Sequence, residues 1–345
     1  MSTPKIAQAP AVLTAEGFDP ETFDPLVPRI AQQAITRSPI LLPWQPRIMP
    51  LGMFFRSTVA ETSHNPFAPE TAFSQDSLDS TRIVFTANDG NCSFRSSEAL
   101  SSSASMDHLS VSMGASVDMV CLEASVSMHY DKDVMENRDS NKASVTTSYR
   151  AGSVGYARPP ELSEAAFEIL TRRGVEAFKS VYGDYYVGGY RIGGDASVLF
   201  STDATSHSES EKKSVQIKVE SWLGDYEESW STSLASTSSN ATVRVSAYST
   251  LEQLIVAKTV QLGTSEFQAA IQQGREIHKR AQGLEDGVAK VLAEIGVRHG
   301  KTVTGRQCSQ LCQRGVVVEL QLVPIETLRQ VRFWSTLGRA GDAEQ

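Results

Sequence analysis

The clearest pattern of apolar and polar positions in the chain runs from residue 109 to residue 121. Leu109, Val111, Met113, Ala115, Val117, Met119 and Cys121 point one way, and Ser110, Ser112, Gly114, Ser116 and Asp118 the other. A period of two is that of a half-buried strand. The phase then slips, and Leu122, Ala124, Val126, Met128 and Tyr130 carry the apolar face onward, as one extra residue near Val120 makes it do at a β-bulge. The polar stretch 131–142 predicts a turn or tip, after which Ala143, Val145, Thr147, Tyr149 and Ala151 resume a weaker alternation. Residues 101–158 therefore read as a Ser-rich insertion that is a long amphipathic hairpin, or is able to become one.

A second polar insertion, 202–240, repeats the idea. Val215, Ile217 and Val219 alternate with Gln216, Lys218 and Glu220, and Trp222, Tyr226 and Trp230 follow at four-residue spacing before a Ser-rich run. Strand patterns flank it at 196–201 and at 241–248, where Val243 and Val245 alternate with Thr242, Arg244 and Ser246. Taken singly, such segments are also what an ordinary half-buried antiparallel strand looks like.

Helical spacing appears twice. After Pro159-Pro160, the positions Ala165, Phe167, Leu170, Val175, Phe178 and Val181 predict a helix or helix pair over 161–180, broken at Gly174. Phe267, Ile271, Ile277, Ala281, Leu284, Val288, Val291 and Ile295 recur at steps of three and four, a helical packing face, with Ser265 and Gln268 as a candidate capping box at its start. The run 315–324 then reads as a strand stopped by Pro324.

Eleven of the fourteen prolines fall in the first 69 residues, a density that no long helix or central strand tolerates. Residues 1–79 are expected to be an irregular prefix packed on the main domain through Ile40-Leu41-Leu42, Trp44 and Met53-Phe54-Phe55. The main domain is placed at 80–334, opening with a strand at 82–86, and 335–345 is a short tail.

The remaining composition mostly excludes. A net charge of -8 argues against nucleic acid as a partner. No stretch of about 18 apolar residues occurs, so no transmembrane helix is predicted. The start, Met1-Ser2-Thr3-Pro4-Lys5, lacks the apolar core of a secretory signal. Synthesis in the cytoplasm is expected, with release by an unconventional route and membrane association afterwards. Cys92, Cys121, Cys308 and Cys312 leave free thiols, a disulfide and a metal all open, though no Cys/His cluster completes a zinc set. Gly296 to Gly300 spaces its glycines by three residues where a phosphate loop needs four, so it reads as a basic surface turn. The six histidines fall in unrelated contexts. No catalytic residue, metal ligand or cofactor is nominated, and the chain is not expected to be an enzyme.

One motif carries a specific signal: Tyr182-Gly183-Asp184-Tyr185-Tyr186, followed after six residues by Gly193-Gly194. Tyr185, Tyr186, Val187, Tyr190 and Ile192 are strand formers, and the glycines at 188, 189, 193 and 194 interrupt them. Glycine within a strand marks a bulge, a bend or a close backbone approach, and a simple hairpin corner is the plain reading. The pattern resembles the signature of the membrane attack complex/perforin (MACPF) superfamily: Tyr or Trp, Gly, Thr or Ser, His, Phe or Tyr, six residues, Gly-Gly. Asp184 stands where Thr or Ser is usual and Tyr185 where His is usual.

The resemblance spans roughly 80–334. It implies an α/β (α+β) MACPF/cholesterol-dependent-cytolysin-like fold with a bent, mainly antiparallel central sheet, flanking helices and two convertible helical or hairpin insertions. Tyr182, Gly183, Tyr186, Gly193 and Gly194 become signature and hinge residues. Leu109, Val111, Met113, Ala115, Val117 and Met119, with Val215, Ile217 and Val219, become membrane-insertion positions. The implied activity is pore formation, with membrane lipid, further copies of the chain and a separate targeting protein as partners. A non-lytic binding or developmental scaffold is the alternative.

Overall fold

The computed structural model describes residues 34–44, 47–60, 64–99, 126–136, 141–202, 242–261 and 264–342. The alternating positions 109–121 and 215–219 lie outside them.

Eight strands make one sheet: β1 (Ile40–Pro43), β2 (Phe54–Phe55), β3 (Ile83–Ala99), β4 (Asn141–Tyr156), β5 (Tyr185–Thr202), β6 (Thr242–Ser249), β7 (Leu254–Gln261) and β8 (Val317–Pro324). Every pairing is antiparallel. The long strand β5 is the spine. On one side it keeps a single neighbour, β4, from Gly189 to Thr202. On the other it changes partner: Tyr185 to Ile192 pair with β8, and Ala196 to Thr202 pair with β6. The sheet is thus continuous through β3–β4–β5 and forks beyond β5, with the fork at Gly193-Gly194.

Among the described residues seven α-helices surround it: α1 (Gln75–Ser80), α2 (Val126–Glu136), α3 (Glu164–Val181), α4 (Ser265–Ala281), α5 (Leu284–Ile295), α6 (Gly305–Gln313) and α7 (Arg329–Asp342). The hydroxyl of Ser163 caps α3 by accepting from the Ala166 N–H at 3.2 Å, and the helix breaks at Gly174 (φ 82°, ψ 175°) as its spacing predicts. The stripe over 267–295 proves to be two helices, separated at Gly283. The cap of α4 is Thr264, whose hydroxyl accepts from the Phe267 N–H at 3.2 Å. Ser265 is already the first helical residue, one position too late to cap. The basic turn after α5 docks on β3, with His299 Nδ1 accepting from the Ala87 N–H at 3.0 Å.

Two expectations are corrected. The described part of the prefix does more than pad: Ile40 pairs with Leu322 and Phe54 with Tyr186, so the Pro-rich stretch supplies strands to the sheet. Pro43 ends an edge strand, where a missing N–H costs no ladder bond. The stretch 126–142 holds neither continued alternation nor a simple tip. It folds as α2 through Glu136 and as β4 from Asn141. Tyr130 and Val134, four apart, share one helix face and bury together with Leu199 and Tyr248.

Candidate functional site at the bend of the central sheet

The signature enters from α3. Tyr182 is the C-cap of that helix, its N–H donating to the Phe178 carbonyl at 2.9 Å. Gly183 follows at φ 124°, a backbone region that disfavours side chains, and a Cβ there lies 2.3 Å from the Phe55 carbonyl oxygen. Asp184 fastens the prefix to the sheet. Its Oδ1 accepts from the Ser57 N–H at 2.8 Å and its Oδ2 from the Ser57 hydroxyl at 2.5 Å. Tyr186 is buried in an aromatic cluster, edge-on to Phe73 at 5.2 Å and tilted to Phe54 at 5.9 Å. Tyr185, on the opposite face, donates from its hydroxyl to the Ser38 carbonyl at 3.2 Å. Burial, and then the neighbouring Asp184 and Glu326, push that hydroxyl up to about 12.

Gly193 sits at the fork. Its N–H reaches the Val316 carbonyl at 2.9 Å, and a Cβ there falls 2.0 Å from the carbonyl oxygen of Tyr149, so no side chain fits without moving β4. A Cβ on Gly194 meets Leu284 at 3.1 Å and Val288 at 3.3 Å, side chains of α5 packed on the sheet at this point. Register shifts line up beside the pair. β3 and β4 slip between Ala87 and Asn91, β4 and β5 between Arg150 and Gly152, and β5 and β8 between Arg191 and Ile192. Because Arg150 pairs with both Asn91 and Gly193, these irregularities form one line across four strands. A bulge bends its strand and raises the local twist. A row of them is a crease.

A buried ion cluster occupies the crease. Arg150 Nη1 lies 2.5 Å from Asp195 Oδ1, and Nη2 lies 3.1 Å from Asp195 Oδ2 and 3.0 Å from Glu319 Oε1. Burial opposes the charge on the guanidinium, but Asp195 and Glu319 outweigh it and hold its pKa above the usual arginine value. Asp195 begins the upper branch of the fork and Glu319 belongs to β8 in the lower one, so Arg150 ties the two branches together. Asp195 is fixed further by Thr250: its N–H donates to the Thr250 hydroxyl at 2.8 Å, and its carbonyl accepts the Thr250 N–H at 2.9 Å. None of the three charged residues was singled out from sequence. The available signal was a lone charge inside an otherwise strand-like run, as in Val316-Val317-Val318-Glu319-Leu320.

Above the crease, α2 lies on β6 and β7. Its Asp133 accepts hydrogen bonds from the Arg244 guanidinium and the Ser246 hydroxyl, and the rings of Tyr130 and Tyr248 stand 5.0 Å apart. These residues of the first insertion are held as a helix, ahead of β4. Of the predicted site residues, Tyr182, Gly183 and Tyr186 gather where the prefix meets β5, and Gly193 and Gly194 lie on the crease. The positions Leu109 to Met119 and Val215, Ile217 and Val219 lie outside the described residues.

Cys308 and Cys312 are buried free thiols on one face of α6. Burial, and then Cys312, push the Cys308 thiol up to about 12. Among the described residues, no group of three His, Cys, Asp or Glu side chains could hold a metal ion, and no helix is long and apolar enough to cross a membrane.

No family model and no curated protein matches the chain. Among solved structures it is similar to GNIP1Aa from Chromobacterium piscinae, at 13% identity and TM-score 0.30 over 88% of this chain and 57% of that one. It is also similar to a putative cell invasion protein with a MAC/perforin domain from Bacteroides thetaiotaomicron, at 13% identity and TM-score 0.25 over 68% and 57%. A third is a disulfide-locked mutant of intermedilysin solved with human CD59, at 11% identity and TM-score 0.31 over 83% and 57%. The chain spans 57% of the length of each. Its described residues combine α-helices with one antiparallel sheet that is creased along the line of register shifts.

Proposed function

We propose that the chain is a pore-forming protein: a soluble monomer that assembles on a membrane and inserts hairpins drawn from its two insertions. The observation that carries this reading is the level at which four strands end. Ala99 of β3 pairs with Lys142 of β4, Asn141 of β4 with Thr202 of β5, and Thr202 with Val243 of β6. Both insertions therefore leave the sheet from adjacent strands at one height. If each refolds as a hairpin in the register already set, four neighbouring strands lengthen together. A crossing takes about nine to eleven residues per strand, and 100–140 and 203–241 each exceed two such passes. Open strand edges are not tolerated in lipid, so many copies must close into a barrel.

Synthesis in the cytoplasm, release and subsequent membrane association follow as part of the same proposal. So does a mechanical rather than catalytic role. Dye release from liposomes of varied composition, with electron microscopy of the same samples, tests it. Leakage with rings or arcs is expected; no leakage and no oligomer in any lipid mixture, with or without candidate targeting proteins, leaves the scaffold reading. Environment-sensitive probes placed singly along 109–119 should alternate lipid and water with period two after assembly. A flat or helical profile defeats the hairpin model even in a chain that leaks dye.

A further inference from the structure

The helix α7 closes the chain's described part against α3, and its two faces differ in kind. Val331 is fully buried and Trp334 packs against the same cluster as Phe54, Leu170 and Phe178. The opposite face carries Arg329, Arg332, Phe333 and Thr336, all exposed, with the pairs 329/332 and 333/336 three apart and 329/333 and 332/336 four apart. Phe333 is 59% exposed, and Phe167, at 40%, is the other exposed large aromatic among the described residues. The Phe333 ring stands edge-on to that of Trp334 at 5.9 Å. Among the described residues neither Arg329 nor Arg332 forms an ion pair, whereas Arg172, Arg280 and Arg314 are each bound to a glutamate.

An exposed aromatic flanked by two guanidinium groups that no described acid pairs has a specific complement. The chain carries a net charge of -8, so nothing in its bulk field favours an anionic partner. Two local cations on one helix turn therefore mark the place where such a partner is accepted. Guanidinium groups bind phosphate oxygens in bidentate fashion, and an aromatic ring beside them sits at the depth of a lipid headgroup.

We infer that the outer face of α7 is a docking surface for an anionic lipid bilayer, with Phe333 entering the interface and Arg329 and Arg332 bound to headgroup phosphates. The inference rests on the membrane reading above but not on pore formation. It supplies what that reading lacks, a first contact between an acidic protein and a membrane.

Vesicle flotation of the full chain tests it, with phosphatidylcholine alone and with an equimolar mixture of phosphatidylcholine and phosphatidylserine, at low and high salt. The wild type is expected to float with the anionic vesicles at low salt and to lose binding as salt rises. Arg329→Gln with Arg332→Gln should weaken that binding by about 30-fold, from two cations lost near the surface. Phe333→Ala should weaken it by about tenfold. Lys290→Gln with Lys301→Gln removes the same charge from exposed positions elsewhere and should leave binding unchanged. All the substitutions are on the surface, and unchanged thermal melts confirm that each variant is folded.

If the arginine pair binds no worse than the lysine pair, the inference is overturned. It is also overturned if the wild type ignores anionic vesicles at low salt, in which case an acidic protein surface becomes the partner to seek. Dye release in the same samples separates the two readings. Flotation that the arginine substitutions weaken keeps the docking surface whether or not the vesicles leak; leakage undiminished by those substitutions keeps pore formation and overturns the docking surface.

Discussion

The two faces of the upper sheet are built from the same strands and differ in what they ask of their cover. Toward α4, alternate positions are Val198 and Phe200 on β5 and Val243, Val245 and Ala247 on β6, buried with Phe267, Ala270 and Ile277. Toward α2, the intervening positions are Ser144, Thr146 and Ser148 on β4, Ser197 and Ser201 on β5 and Ser246 on β6. Among the described residues, a small apolar spot, Leu199 with Tyr248, receives Tyr130 and Val134 on that side. Hydroxyls such as Ser197, which donates to Thr146 at 2.9 Å, can exchange a protein partner for water with little net change. Apolar side chains cannot, because each loses its full transfer free energy on exposure. The same sheet therefore holds α4 by extensive apolar burial and α2 by a small apolar contact with polar groups around it, the weaker of the two holds.

The largest expected effect is on the dry face. Phe267 is 2% exposed, and Phe267→Ala should cost about 3 to 5 kcal/mol. It should appear as a lowered midpoint in chemical denaturation of the whole domain, because α4 spans β5 and β6. A loss confined to residues 126–136 would break the comparison, since the two faces would then have exchanged roles.

Arg150→Met probes the crease below both faces. It leaves Asp195 and Glu319 buried without their cation, a change of about 3 to 5 kcal/mol in comparable cases. Here the effect should begin at the fork. Hydrogen exchange is expected to quicken first in the middle of β5 and at the ends of β6 and β8 that meet there, ahead of α4. Uniform loss of protection through the domain would mean that Arg150 supports the core without tying the branches.

Much of this was legible in sequence, and the rest was not for definite reasons. The α3 break at Gly174 and the strands β5, β6 and β8 follow from local spacing, which the structure keeps, and of the readings open for Gly193 the structure shows a close backbone approach within a strand in place of a hairpin corner. The helix α2 was missed because Val126, Met128 and Tyr130 offer only three alternating positions. What decides their conformation is contact with Leu199 and Tyr248, far away along the chain. The ion cluster was missed for a related reason. Arg150, Asp195 and Glu319 come from three strands, and the register that joins them is set by bulges that no single segment reveals. Asp184 departs from the signature it sits in, yet its carboxylate holds Ser57, a use that depends on where the prefix folds back.

The smallest and most diagnostic effect is expected at Asp133. Its side chain is 13% exposed and that of Arg244 33%, so their ion pair is partly open to solvent and should be screened accordingly. Asp133→Asn keeps the shape and one acceptor oxygen while removing the charge, and should weaken the hold of α2 by about 1 kcal/mol. Because α2 shares only a small apolar cluster with the sheet, the loss should stay local. Hydrogen exchange and limited proteolysis are expected to quicken within 126–136 and to leave 265–281 unchanged, with the global denaturation midpoint nearly unmoved. Raising salt should mimic the substitution in the wild type and do little to the variant. If instead α2 and α4 loosen together, the two faces are one cooperative unit. The hydroxyl-rich face then offers no easier release than the apolar one.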